Sequence, residues 1–325
     1  MSAIIRSIAS YVPELRVTND DLAKKIDTTD EWIHSHTGIS ARHLAPDGMQ
    51  TSDLATEAAK KALAKANVQV NDLDFILVAT ATPDYFGFPA TACIVQDKLG
   101  ASGCAAFDIT AGCTGFIYAL DVASSMLERH HGKHGLVIGA ETLSRLVDWE
   151  DRSTAVLFGD AAGAAVVSRI DEPGRGVLST VLGAEGSGAL DLYMVQTPRT
   201  SAYNRGEPVV PKISMNGHHV YDFAVKSMTT LIERMLHETV YKLEDFAWLV
   251  PHQANARIVQ AAGKRFGIPE EKFYMNIAEY ANTSSASIPV ALAEMEEKGL
   301  LKTNDLIMLL GFGSGLTYGS AVIRW

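Results

Sequence analysis

Short, continuous apolar runs alternate along this chain with longer segments whose apolar positions recur every three or four residues. The runs at residues 4–9, 75–80, 136–140, 164–168, 248–250 and 306–310 are rich in Val, Ile and Leu, with little polar alternation. Such runs predict strands covered on both faces. Between them, residues 52–66 place Ala55, Ala58, Ala59 and Leu63 on one stripe, as an amphipathic helix requires. Strands alternating with helices define an α/β class.

The pattern also repeats. In the first half a helix leads to residues 70–80 and then to a helix carrying Ala92-Cys93-Ile94-Val95-Gln96 and ending at Gly100. In the second half a helix leads to residues 242–252 and then to a helix carrying Ala256-Arg257-Ile258-Val259-Gln260 and ending at Gly267. Each half closes on a glycine-rich turn, residues 158–163 in one and 311–315 in the other. Matching order as well as pattern points to a duplicated unit, with residues 1–171 and 172–325 as the two halves.

Four segments carry candidate chemistry. At residues 107–120 a short apolar strand gives way to Ala111-Gly112, and Cys113 stands at the start of a run that is apolar almost all round. A helix start offers free N–H groups and a positive dipole end, which favour a thiolate and lower its pKa. Gly112 and Gly115 allow a tight turn, resembling the nucleophile elbow of serine hydrolases. On this segment alone, a small buried packing residue and a nucleophile are both open readings. Cys93, in mid-helix, and Cys104, entering a strand, read as structural. The second segment, Pro251-His252-Gln253-Ala254-Asn255, follows a buried strand, where open α/β folds place functional groups. The third, Asn282-Thr283-Ser284-Ser285, reads either as a helix cap or as a site. The fourth, Gly311-Phe312-Gly313-Ser314-Gly315, is either a simple turn or a loop whose N–H groups face an oxyanion.

Composition narrows these options. No apolar run approaches the roughly 20 residues of a membrane span, and the start of the chain reads as a first strand rather than a signal. A cytoplasmic protein is the expectation. Three cysteines without a CxxC pair do not make a disulfide framework or a cysteine zinc site, and neither histidine cluster (130–134, 218–219) has metal-site spacing. The net charge of −10 argues against nucleic acid. It also means that an acidic partner needs a local basic patch.

A cysteine at a buried helix start, the 251–255 segment, the 282–285 segment and the 311–315 loop, in that order, closely resemble the β-ketoacyl-acyl-carrier-protein synthase III family. These are the thiolase-fold enzymes that start type II fatty-acid synthesis. The likeness spans essentially the whole chain, including residues 27–33, Thr37-Gly38-Ile39 and the closing residues 319–325. It implies a thiolase-like fold, two duplicated α/β halves in a layered αβαβα arrangement, and a decarboxylative condensation of a short acyl-CoA, acetyl-CoA in the first instance, with malonyl-carrier protein. Cys113 is then the nucleophile, with His252 and Asn282 donating to the malonyl thioester oxygen. The N–H groups of Cys113 and Ser314 form the oxyanion hole. Coenzyme A falls to Thr28, Trp32, Arg152, Gly217, Tyr221, Ala254 and Asn255, and the limit on acyl length to Phe88. Carrier docking falls to Gln253, Arg257, Lys264 and Arg265. The resemblance further implies a homodimer and no metal or redox cofactor, the CoA thioesters being substrates. Ser314, Ala281, His36, Asp222 and His218 depart from the usual family pattern. They keep open a specialised homologue that uses another acyl-CoA, or malonyl-CoA itself, in secondary metabolism. A cysteine thioester hydrolase is the rival from a different class.

Overall fold

A computed structural model of the chain describes residues 2–195 and 212–325. The apolar runs become strands of two sheets. The first contains β1 (Ser2–Tyr11), β2 (Phe75–Ala79), β3 (Ala105–Ile109), β4 (His134–Thr142) and β5 (Asp160–Ile170), in the order β1-β5-β4-β2-β3. The second contains β6 (Gly176–Ala184), β7 (Phe246–Pro251), β8 (Leu306–Gly313) and β9 (Thr317–Arg324), in the order β7-β8-β9-β6.

The two orders superimpose element by element. Strands β1, β5, β4 and β2 correspond to β6, β9, β8 and β7, and each set has two antiparallel pairings followed by a parallel one. Where β3 pairs with β2 in the first sheet, the second has a single parallel bridge between Leu249 and Phe273.

The helices that frame the site are α1 (Asp30–Thr37), α2 (Thr51–Ala66), α3 (Thr91–Leu99), α4 (Gly115–Arg129), α5 (Gly217–Glu238), α6 (Ala256–Phe266) and α7 (Ser287–Glu297). Helices α4 and α7 lie between the sheets. Their Phe116, Leu120, Ile288 and Leu292 share one core with Leu77 and Val167 of the first sheet and Val250 and Leu309 of the second. This sandwiching is why both helices are apolar on nearly every face. Pro289 is tolerated in α7 because it falls in the first turn, where no intrahelical N–H is needed. Helices α2 and α3 cover the outer face of the first sheet, and α5 and α6 that of the second. The result is the five-layer αβαβα stack, with the carboxyl ends of β3 and β7 delivering Cys113 and His252 to the seam between the halves. No helix among the described residues is long and apolar enough to cross a membrane.

Candidate active site

Beyond β3 the chain makes a tight 3-10 turn, Gly112–Thr114, into α4, and Cys113 occupies its centre. Gly112 has φ +52°, and a Cβ there would collide with the Ser314 hydroxyl. A Cβ on Gly313 would come within 2.7 Å of the Cys113 Cβ. Both glycines are required for the 311–315 loop to press against the cysteine. That approach sets the backbone of Ser314 beside Cys113, and the N–H groups of both residues act to lower the thiol pKa.

The thiol is buried, and burial pushes its pKa up to about 11. The Ser284 hydroxyl and the two N–H groups pull it down, and Glu141 would push it further up only as a charged carboxylate. The sequence expectation of a lowered pKa is corrected here: loss of solvent around the sulfur outweighs the helix start.

His252 follows β7 and is 1% exposed. Its Nδ1 lies 2.7 Å from Ser287 Oγ, and that oxygen accepts from the Gln253 N–H at 3.5 Å. Where the Ser287 hydroxyl donates to Nδ1, the imidazole proton sits on Nε2, the tautomer a donor role requires. Burial drives the His252 pKa down to about 3, so the ring is neutral at physiological pH and serves as a donor. Asn282 is pinned by its backbone, its N–H donating to Leu157 O at 2.9 Å and its carbonyl accepting from Gly159 N at 3.0 Å. Its Oδ1 accepts from Ser284 N at 2.9 Å, leaving the Nδ2 protons for a ligand. Ala281, just before it, sits at φ +56°, which explains why glycine suits that position better.

Cys113, His252 and Asn282 line one cavity of about 200 Å³ together with Phe158, Phe312 and Tyr221. Gly217, Ala254 and Asn255, expected to contact coenzyme A, border the same space. A second cavity of about 350 Å³ opens on the other side of Cys113, walled by Leu143, Leu146, Phe158, Leu192, Met194 and Ile213. The sulfur thus borders two cavities, both of mainly apolar lining.

The other nucleotide-binding candidates lie towards α1. Arg152 stacks directly on Trp32, 4.7 Å from the ring centroid, and donates to Asp27 O at 3.2 Å. The pair is closed, so a base enters between them only if the guanidinium swings away. His36 also stacks on Trp32, at 4.6 Å and 21°. The Thr28 hydroxyl oxygen is buried without a partner, a polar group left ready for a ligand. Asn255 caps α6 through Arg257 N at 2.9 Å and donates to His36 O at 3.1 Å.

Two sequence readings, those of Gln253 and Cys93, need correction. Gln253 is 1% exposed. Its amide donates to Pro251 O and Tyr274 O and accepts from Asn276 N and Ile277 N, so it is an internal brace and not a docking residue. Phe88 is 88% exposed and lines neither Cys113 cavity of its own chain. Cys93 is exposed on α3 instead of packed inside. Arg257, Lys264 and Arg265 do form an exposed basic face on α6, with Arg265 3.2 Å from Glu233.

Ser287 and Glu141 escaped the sequence reading, and Ser284 entered it only as a member of the 282–285 segment, without a role of its own. Ser284 and Ser287 could have been noticed as hydroxyls where a helix otherwise apolar all round begins. Glu141 is an acid at the end of a continuous apolar strand run, a position where α/β sheets concentrate function.

Comparison with known proteins agrees with this geometry. Residues 107–186 match the family model of 3-oxoacyl-[acyl-carrier-protein (ACP)] synthase III, and residues 236–325 match the model of its C-terminal part. The β-ketoacyl-[acyl-carrier-protein] synthase III of Caldanaerobacter subterraneus is 49% identical, covering 100% of this chain and 98% of its own. That of Oceanobacillus iheyensis is 47% identical, covering 100% and 99%. The crystal structure of the Aquifex aeolicus 3-oxoacyl-[acyl-carrier-protein] synthase III superimposes with a TM-score of 0.91 at 45% identity, covering 100% of both chains. A cysteine, a histidine and an asparagine at the seam of a duplicated α/β fold thus coincide with full-length similarity, and the chain belongs to the β-ketoacyl-[acyl-carrier-protein] synthase III family.

Proposed function

We propose that the protein condenses a short acyl-CoA with malonyl-acyl-carrier protein, releasing CoA and CO2 and yielding a 3-ketoacyl thioester that starts fatty-acid synthesis. One observation carries this reading: Cys113, His252 and Asn282 line one cavity, and the Ser314 backbone packs against the cysteine across Gly313. Attack of the sulfur on the acyl-CoA carbonyl places the oxyanion near the Cys113 and Ser314 N–H groups. The carbonyl re-forms as the C–S bond to CoA breaks, and the proton lost by Cys113 ends on the CoA sulfur. In the second half-reaction the His252 Nε2–H and an Asn282 Nδ2–H bind the malonyl thioester oxygen. Loss of CO2 puts negative charge there as an enolate, so those bonds strengthen in the transition state. The enolate carbon then attacks the acyl-cysteine carbonyl, the C–S bond to Cys113 breaks, and the departing thiolate takes a proton from solvent to regenerate the thiol.

The apolar recess behind Cys113 holds the acyl group. At about 350 Å³ it has space beyond an acetyl group, so the primer is tested across acetyl, isobutyryl and hexanoyl. Coenzyme A lies along Asn255, Ala254, Tyr221 and Gly217 towards Thr28, Trp32 and Arg152. No further cofactor takes part. The carrier meets Arg257, Lys264 and Arg265. The protein pairs through the edge strand β3, beside which Tyr85, Phe86, Phe88, Phe107 and Cys93 are exposed. Phe88 touches an acyl chain only where another copy brings it to a Cys113 cavity. Three free thiols suit the reducing cytoplasm.

Mass spectrometry tests the reading directly. Incubation with an acyl-CoA adds one acyl mass at Cys113, and malonyl-carrier protein then discharges it as 3-ketoacyl product. Release of free acid without a malonyl donor would identify a hydrolase instead, and a fully active Cys113→Ala variant would overturn the assignment.

A further inference from the structure

The steps above leave one buried acid without a role. Glu141, at the end of β4, is 0% exposed, and no cation pairs with it among the described residues. Its Oε2 accepts from Thr82 Oγ1 at 2.7 Å, Ala81 N at 3.1 Å and Thr80 Oγ1 at 3.2 Å. The Thr82 hydroxyl has a proton to give, because its oxygen already accepts from Thr142 N at 2.9 Å. The Oε1 side differs. There Ser285 Oγ lies 2.7 Å away, and the same hydroxyl lies 2.8 Å from the Ala79 carbonyl. Longer N–H contacts reach Oε1 from Ala81 at 3.2 Å and Ser285 at 3.4 Å.

Proton counting decides what this means. Ser285 owns one hydroxyl proton, and a carbonyl has none to give. If Glu141 were ionised, one of the two short contacts would lack a hydrogen. A proton on Oε1 fills both: Glu141 donates to Ser285, and Ser285 donates to Ala79. Burial of a carboxylate without a cation favours the same state, and burial indeed pushes the Glu141 pKa up. Next door, Ser284 sits on a backbone held at φ +48°, donates its N–H to Asn282 Oδ1 at 2.9 Å and lines a cavity with Cys113.

We propose that Glu141 is a positioning residue for acyl transfer: a neutral carboxylic acid that clasps Ser284 and Ser285 of one half onto residues 80–82 of the other. It thereby holds the Ser284 hydroxyl against the Cys113 sulfur and leaves no buried charge beside that sulfur. Around Glu141 the facing groups are hydroxyls from Thr80, Thr82, Ser284 and Ser285, and the titratable neighbour is Cys113. A negative Glu141 would oppose every step in which the sulfur carries negative charge.

The inference rests on Cys113 being the acylated thiol, but its spectroscopic test does not. Glu141→Ala undoes the clasp and slows acyl-enzyme formation more than about tenfold, and Glu141→Gln, which keeps a donor and an acceptor, restores it to within about threefold. Iodoacetamide alkylates Cys113 of Glu141→Gln at pH 8 at the wild-type rate, since no charge has been removed. Alkylation about tenfold faster would show that a negative neighbour had been lost, and overturns the proposal. Failure of Glu141→Gln to restore acylation would make the carboxyl a proton acceptor, and overturns it too. If Glu141→Gln does not fold, the infrared difference between wild type and Ser285→Ala still decides. A protonated carboxyl stretch that moves when its acceptor is removed supports a neutral Glu141, and a shift confined to carboxylate bands refutes it.

Discussion

At the scale of single residues, burial governs the chemistry. With its pKa pushed up to about 11, Cys113 holds only a trace of thiolate at neutral pH. Its alkylation rate is therefore expected to climb about tenfold per pH unit from pH 8 to 10, where an exposed cysteine levels off near 8.5. A plateau below pH 9 would contradict this. His252 is shifted in the opposite sense, from 6.5 to about 3. Between those values the unfolded chain takes up a proton that the native ring refuses, so stability is lost as pH falls through that window and is complete above it. Denaturant titrations should show His252→Gln losing less stability than wild type between pH 7 and 4. Ser287 Oγ lies 2.7 Å from His252 Nδ1, where a donated proton would keep the imidazole hydrogen on Nε2. Ser287→Ala is expected to slow malonyl decarboxylation about tenfold while leaving acyl-enzyme formation near its wild-type rate. Equal losses in both half-reactions would instead mean general disruption.

Elements place these residues through turns that few side chains permit. Gly313→Ala inserts a methyl 2.7 Å from the Cys113 Cβ. It should displace the Ser314 N–H and reduce acylation about a hundredfold, the cost of losing an oxyanion donor. Rapid-quench acylation measures it, and a loss below fivefold would mean that the loop yields. The nucleophile turn, the His252 segment and the Asn282 segment were legible because each breaks a strand or helix pattern with polar or glycine residues. The burial of Gln253 was not, because three of its four backbone partners lie on a distant stretch of chain, Tyr274 to Ile277. On α6 the exposed Arg257 and Lys264 are expected to carry carrier docking. Glu substitutions at both should raise KM for malonyl-carrier protein severalfold, with malonyl-pantetheine unaffected and added salt shrinking the difference.

Across the whole molecule, duplication explains why the site lies at a seam. One half supplies Cys113 from the end of its first sheet, and the other supplies His252 and Asn282. The first sheet also has an open edge, β3, flanked by Phe107, Tyr85, Phe86 and Phe88, which a lone chain leaves in water. Such an edge invites pairing with a second copy. Sedimentation should give a dimer for the wild type and a shift to monomer for Phe107→Glu. A monomeric wild type would refute the pairing.

The order of apolar runs by itself determined the α/β class and the repeat, and the segments that interrupt it carried the resemblance that marks Cys113, His252 and Asn282 as candidates. These follow from local periodicity and from residues that interrupt it. Tertiary structure alone decided the protonation states, the side-chain partners and the exposure of Phe88. Desolvation and hydrogen-bond partners are properties of the space around a residue, and residues distant in the chain fill that space. Cys113 and Glu141 lie 28 residues apart in sequence, yet Ser284, from the other half, lies beside both.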